Sequence, residues 1–458
     1  MLLGLCATGI CQLRLPHVWS DNMVLQRNAT TNIWGWGYAT QEVVITASWL
    51  EDTVKTIVDA DGRWAAQLPT GEAGGPYELK VASTGTEITL GNLLLGEVWL
   101  CSGQSNMEWG GNQRLPEIMD ELPRASDGQI RLFQVSRQGA DYPQADVPNS
   151  WQLLDAESLK PFSAIGYFIA KKFREELDVP IGIINASWGG TPAEVWTPGY
   201  LVANDPVLHA AAIQQDPAPY RPHRSGVLWN SMIYPLSKFT ISGFFWYQGE
   251  SNVGIWRSYD KLMRTMITSW RMAWNADLPF YFVQIAPFDY GNKLPLAALL
   301  REQQTRTAAS LPNTGMVVVT DLVDDVKNIH PVQKQEVANR LATIALNDHY
   351  RVRNDADYIS PRYRSHEVNG NTVVVSFDFV DGGLKTEGGP VTELFIAGAD
   401  RVFYQAQAVV EGNTLVVSAP EVANPVAVRF GFTETAMPNL FNSNGLPVTP
   451  FRTDDWAF

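Results

Sequence analysis

Short runs in which apolar and polar residues alternate dominate the first part of the chain. Thr31-Asn32-Ile33-Trp34, Glu42-Val43-Val44-Ile45-Thr46-Ala47 and Tyr77-Glu78-Leu79-Lys80-Val81 carry the period of two expected of half-buried strands. Asp61-Gly62 lies between two such runs and reads as a hairpin turn. Residues 10–95 are therefore predicted to form an all-β, sandwich-like domain. From residue 96 the pattern changes. Near-continuous apolar stretches at 130–135, 181–186, 243–247, 280–286 and 316–320 alternate with helical periodicity at 164–177, 262–274, 296–311 and 333–346. That alternation predicts an α/β domain over residues 96–350, with a parallel sheet covered on both faces. Residues 140–155 and 205–225 are rich in Pro and Asp and read as loops long enough to line a cleft. After residue 351 strands return at 372–379, 414–418 and 427–432. Asn369-Gly370 and Glu411-Gly412-Asn413 supply the turns, so residues 351–458 read as a second β domain.

The stretch Val98 to Trp109 is where chemistry is expected. Val98 to Cys101 reads as a short buried strand that ends at Ser102-Gly103. Ser105 then falls just past the carboxyl end of the strand, where open α/β sheets bind ligands. A serine on such a turn can present its Oγ to a substrate and its N–H to an oxyanion. The competing reading is a helix N-cap, because Ser105 and Glu108 fit a capping box.

Composition narrows the partners. A chain of 458 residues is long enough for two or three domains, and 45% hydrophobic with 18% charged residues describes an ordinary globular protein. A net charge of −14 argues against nucleic acid or an anionic membrane, and an anionic substrate would need a local Arg or Lys. The 16 tryptophans suit sugar faces as well as core. No run of 18 or more apolar residues predicts a membrane span. Residues 1–9 read as the tail of a secretory leader with Ala7-Thr8-Gly9 as a small-residue cleavage site, although a basic start is missing. The expected location is secreted or periplasmic; the competing reading is an apolar terminus packed on the domain. Of Cys6, Cys11 and Cys101, cleavage would leave the last two, and their spacing does not argue for a disulfide. No oligomeric state is legible.

Five strings resemble a known family: Met23-Val24-Leu25-Gln26-Arg27, Gly103-Gln104-Ser105-Asn106-Met107, Trp246-Tyr247-Gln248-Gly249-Glu250-Ser251-Asn252, Asn328-Ile329-His330-Pro331, and Gly445-Leu446-Pro447 with Pro450-Phe451-Arg452-Thr453. The chain is similar, almost end to end, to the sialate O-acetylesterases and related carbohydrate acetylesterases of the SGNH-hydrolase superfamily. The resemblance implies a three-layer α/β domain with flanking β domains. It also implies an esterase that removes O-acetyl groups from carbohydrates, most readily sialic acids, through an acetyl-enzyme on Ser105. The nearest rival is an acetylxylan esterase. A rival of another class is a carbohydrate-binding protein without turnover.

Ser105 needs a base. Of the six histidines, His17, His349 and His366 fall in or beside the β regions or at a helix end, where a structural role is the simpler reading. His209 and His223 lie in the long loop. His330 follows the strand predicted at 316–320 by a polar loop, and Pro331 opens the next helix. That places its imidazole at the edge of the sheet where Ser105 sits. Many SGNH enzymes carry an Asp three residues before this His; here that residue is Lys327, and Asn328 stands where relatives often have Asp. Asp324 or Asp325 is a candidate to orient the ring, and so is a backbone carbonyl, which would leave a Ser–His dyad. The resemblance points to Gly190, in Gly189-Gly190-Thr191, as an oxyanion donor beside the Ser105 N–H, and Gln248 is a third candidate. Gln104, Asn106, Glu250 and Arg301 are candidate substrate contacts; for Glu250 the alternative is an ion pair with Arg301. Arg301, Arg224 and Arg114 are the candidates to meet a sugar carboxylate. No His or Cys cluster has metal-ligand spacing and no phosphate-cradling glycine loop occurs, so neither a metal nor a cofactor is expected.

Overall fold

The structure, a computed structural model, describes residues 12–458. The stretch 1–9, where a leader is expected, and the cysteines Cys6 and Cys11 lie outside the described residues. Strands β1 (Thr86–Gly103), β2 (Ile130–Gln134), β3 (Ile181–Ser187), β4 (Gly243–Tyr247), β5 (Phe280–Val283) and β6 (Thr314–Val317) form the central parallel run. Their order is β6-β5-β4-β1-β3-β2, each neighbour parallel. The helices that cover this run and hold its loops are α1 (Ser105–Glu108), α2 (Ala164–Leu177), α3 (Tyr259–Trp274), α4 (Leu296–Ser310) and α5 (Lys334–Asp348).

Alternation along a strand explains the unbroken apolar sequence of β4. Phe244 and Trp246 point to one face, where they join Leu262, Met266 and Trp270 of α3. Phe245 and Tyr247 point to the other, where they join Phe173 of α2 with Leu341 and Ile344 of α5. A strand covered on both sides has no polar face to show. The connection from β3 to β4 crosses over β1, so the strand order reverses beside the carboxyl end of β1. Such a switch point opens a crevice, and Ser105 lies in it.

β1 is much longer than the predicted strand. Its first half pairs antiparallel with Gly74–Ser83 and its second half is the centre of the parallel run, which makes one 11-stranded mixed sheet. Residues 95 and 96, where the pattern suggested a domain boundary, are therefore mid-strand. Packing is continuous there too: Trp19, Leu25 and Trp34 share a core with Phe244 and Trp246. Glu97, 4% exposed, ties the regions together by accepting from Gln26 Nε2 at 2.9 Å, Arg27 Nε at 2.7 Å, Ser242 Oγ at 2.6 Å and the Tyr350 hydroxyl at 2.9 Å.

The local predictions divide by what decided them. Asn369-Gly370 and Glu411-Gly412-Asn413 do close hairpins, with Gly370 and Gly412 at φ of +62° and +61°. Asp61-Gly62 does turn the chain, but the strands on either side, Val54–Ile57 and Arg63–Pro69, pair in different sheets. Asp59 Oδ1 holds that turn by accepting from the N–H groups of Asp61 and Arg63. The stretch 205–225 is not all loop: Pro206–Ala212 is a helix whose cap, Asp205, accepts from Val207 and Leu208 N–H. Asp followed by Pro is a helix-start signal. The C-terminal strands build a core of their own around Val375, Leu415, Phe430 and Phe451. Among the described residues no helix is long and apolar enough to cross a membrane.

β1 ends at Gly103 with φ +138°, and a Cβ there would meet the backbone oxygen of Tyr247 at 2.2 Å. Gly103→Ala is expected to destabilise the protein by about 2–4 kcal/mol, combining a disallowed backbone angle with overpacking. A urea unfolding curve checks this; a midpoint equal to that of the parent would show that the turn relaxes freely.

Candidate active site

The close passage at Gly103 fixes how the chain leaves the sheet. Gln104 N–H donates to Tyr247 O at 3.0 Å, and the chain then enters α1. Gln104 occupies the cap position with no side-chain cap bond, so Ser105 is the first helical residue rather than an N-cap. Its hydroxyl is spent elsewhere: Ser105 Oγ lies 2.8 Å from His330 Nε2. The structure thus joins residues 225 apart in sequence.

His330 is fixed on several sides. Trp109 stacks on the imidazole, with ring centroids 3.7 Å apart and planes 23° from parallel. Asn328 grips the backbone, its Oδ1 accepting from His330 N–H and its Nδ2 donating to His330 O, each at 3.0 Å. Asn106 Nδ2 donates to Ile329 O at 3.1 Å. Burial, and then the positive charge of Lys334, push the imidazole down to about 4. The ring is therefore neutral at neutral pH. For Nε2 to accept from the serine hydroxyl, the proton must sit on Nδ1.

Nδ1 has no hydrogen-bond partner among the described residues. Asp324 and Asp325 are turned away from it: Asp324 Oδ1 accepts from Gln333 Nε2 at 3.2 Å, and Asp325 Oδ1 accepts from Lys327 N–H at 2.9 Å. Asp321, the other acid of this loop, pairs with Arg340. The structure does not bring the expected acid partner to the histidine. The physical reason is competition for the carboxylates: Asp325 closes its own turn, while Asp324 and Asp321 are taken by Gln333 and Arg340 at and beyond the start of α5.

Ser105 and Gly190 line the same cleft. The N–H groups of Ser105 and Gly190 have no partner among the described residues, and Gly190 turns the chain at φ +72°. Gly189 N–H is taken by Glu108 Oε2 at 2.9 Å. Gln248 is not a third donor. It is fully buried, and its Nε2 donates to Thr191 O at 3.1 Å and Asn252 Oδ1 at 2.8 Å. It braces the glycine turn from beneath. Gln104 does reach the cleft, with Oε1 near the N–H groups of Gly249 and Ser251.

Arg301 is not a substrate contact. It is fully buried under the C-terminal region, where its Nη2 donates to the carbonyls of Thr433 and Glu434. Nor does it pair with Glu250. Glu250 Oε1 accepts from Asn106 Nδ2 at 2.6 Å, and burial raises its carboxyl. Asn106 is likewise buried rather than facing sugar, and its Oδ1 accepts from Lys334 Nζ at 2.7 Å. Lys334 is fully enclosed, and burial pushes it down to about 7. Sequence reading passed over Lys334 and Trp109. The spacing of Lys334 four residues after His330 was the available signal for the first.

Above this layer lies an open cleft of about 440 Å³, walled by Ser105, Trp109, Arg137, Trp188, Gly190 and His330 among others. Among the described residues no group of three or more His, Cys, Asp or Glu could hold a metal ion. A hydroxyl held against a neutral imidazole, with two N–H groups to spare on a cleft open to solvent, is an arrangement that can carry out nucleophilic attack on an ester.

Comparison with known proteins bears on the family. Residues 95–347 match the family model described as carbohydrate esterase, sialic acid-specific acetylesterase. The sialate O-acetylesterase of Rattus norvegicus is 31% identical over 388 residues, which cover 70% of this chain and 71% of the relative. That of Homo sapiens is 31% identical over 358 residues, with coverage of 70% and 68%. The crystal structure of a carbohydrate acetylesterase from Xanthomonas citri superimposes with a TM-score of 0.89 at 35% identity, covering 97% of this chain and 100% of its own.

Lys334→Gln keeps a donor to Asn106 and removes the charge. That charge lowers the His330 pKa, so its removal should raise the pKa from about 4, though not to 6.5, because burial persists. The base works only when neutral. The acidic limb of the kcat/KM profile should therefore move to higher pH, and an unmoved limb would show that the lysine charge does not reach the ring.

Proposed function

The chain belongs to the sialic acid-specific acetylesterase family of carbohydrate esterases, and on that premise we propose that it removes O-acetyl groups from sialic acids, with Ser105 as nucleophile and His330 as general base. It is a hydrolase of carboxylic esters. The observation that carries the assignment of roles is the 2.8 Å contact between Ser105 Oγ and His330 Nε2 at the wall of the cleft.

In this reading Ser105 Oγ attacks the acetyl carbonyl as its proton passes to His330 Nε2. The oxyanion accepts from the N–H groups of Ser105 and Gly190. Collapse expels the sugar hydroxyl, which takes the proton back from the imidazolium and leaves acetyl-Ser105. Water, deprotonated by His330, then attacks the acetyl group, and acetate leaves as the imidazolium returns its proton to Ser105 Oγ. The catalytic unit is read as a dyad. The neutral ring is held by the Trp109 stack and the pinned loop, and solvent at Nδ1 replaces the carboxylate of a triad.

The same reading takes the parallel run, with helices on both faces, as a three-layer SGNH-hydrolase unit over residues 96–350. Residues 10–95 and 351–458 are then β regions that flank it. The separate C-terminal core supports this partition more strongly than the shared N-terminal one does.

Ser105→Ala should reduce acetate release from O-acetylated sialic acid by about 10³-fold or more. Asp324→Asn and Asp325→Asn should each stay within about tenfold of the parent, where loss of a triad carboxylate costs roughly 10⁴-fold. Turnover of acetylated xylan in preference to acetylated sialic acid would overturn the substrate, and a loss beyond about 100-fold in either Asp variant would overturn the dyad.

A further inference from the structure

A sialic acid carries a carboxylate, and a chain of net charge −14 repels it unless a cation stands in the site. None of the three arginines expected from sequence meets this need. Arg301 is fully buried, Arg224 pairs with Asp141 on an exposed loop, and Arg114 does not line the cleft. Among the described residues the cleft wall carries one Lys or Arg, and it is Arg137.

Arg137 lies three residues beyond the end of β2, on the same carboxyl edge of the sheet as Ser105. Its side chain is 50% exposed, and its Nη2 pairs with Glu108 Oε1. The other Glu108 oxygen holds Gly189 N–H, next to the free N–H of Gly190. The ion pair therefore fixes the base of the guanidinium against the oxyanion turn. Its Nε and Nη1 have no partner among the described residues, on a side chain that is half exposed. A planar fork with donors to spare, anchored at one end and open to the cleft, is suited to a carboxylate. Trp188, whose Nε1 donates to Tyr220 O at 3.2 Å, offers a ring face beside it for the apolar face of a sugar.

Resting on the sialic acid reading of the site, we propose that Arg137 is the specificity-determining residue that receives the carboxylate of an acidic sugar and sets the acetyl ester over Ser105. Glu108 is then the positioning residue that keeps the guanidinium in place while leaving its outer edge free.

The test is a ratio: kcat/KM for O-acetylated sialic acid divided by kcat/KM for 4-nitrophenyl acetate. Arg137→Gln should lower it by at least about tenfold, the range expected for loss of a charge-assisted contact. The loss should fall mainly in KM for the sugar acid, with partial retention in Arg137→Lys. An unchanged ratio, even with both activities reduced, would assign Arg137 a purely structural part through Glu108 and overturn the proposal. If the parent hydrolyses 4-nitrophenyl acetate but no acetylated sialic acid, the substrate reading fails on its own. Arg137 is then judged by inhibition of 4-nitrophenyl acetate turnover with free sialic acid and with its methyl ester. A preference for the free acid that Arg137→Gln abolishes supports the carboxylate site; equal inhibition by both overturns it.

Discussion

Three distant parts of the chain meet on one buried amide. Asn106 gives one hydrogen bond to Glu250, one to the carbonyl of Ile329, and accepts one from Lys334. Its neighbour Ser105 is the nucleophile of the proposed reaction, and the residue after Ile329 is the base. The amide therefore sets the distance between the two loops that must act together. Buried polar groups cost free energy unless they are paired, so the loops are driven to the one arrangement that satisfies Asn106. Misplacement of reacting groups by about 1 Å can cost about 100-fold in rate. Precision at the surface of the cleft is thus maintained by polar satisfaction beneath it.

The same layer sets the electrostatics. Lys334 and Glu250 are both enclosed, and burial disfavours the charged form of each, lowering the lysine and raising the acid. The lysine also sits 5.7 Å from the ring centroid of Tyr247, whose face moderates its isolation. Cationic character below the histidine favours the neutral imidazole, the form that accepts a proton. Above the histidine the cleft is open to solvent. The site combines a buried floor, tied together through Asn106, with an open top, which suits attack on an ester carried by a bulky polar sugar.

Much of the central architecture was legible because its signals are local. Ala164–Leu177 and Gly243–Tyr247 have the predicted bounds, since helical periodicity and an unbroken apolar strand each dictate one structure. Ser105 and His330 were legible through their place at strand ends. What sequence alone missed is set by three-dimensional competition for hydrogen bonds. Gln248 looked like a donor to substrate because it follows a strand, yet Thr191 and Asn252 consume its amide. Arg301 looked available because it lies near a helix start, yet carbonyls from residues more than 130 positions away enclose it. Asp324 and Asp325 looked like partners because they are close in sequence, yet the Gln333 side chain and the turn at Lys327 claim them first. At residues 95 and 96 the pattern changes inside a single strand, because a change of pattern marks where neighbours change, and one strand can change neighbours without ending.

That continuous strand has a consequence for how the chain comes off the ribosome. The first half of β1 can pair with Gly74–Ser83 as soon as it emerges. Its second half is apolar on both faces, and its partners are Ile181–Ser187 and Gly243–Tyr247. At typical synthesis rates those partners arrive on the order of ten seconds later. Until then the nascent chain displays a naked, hydrophobic strand with both edges unpaired, the kind of template that recruits other chains. The strand that leads to Ser105 is therefore a point where translation leaves the chain open to pairing with other chains.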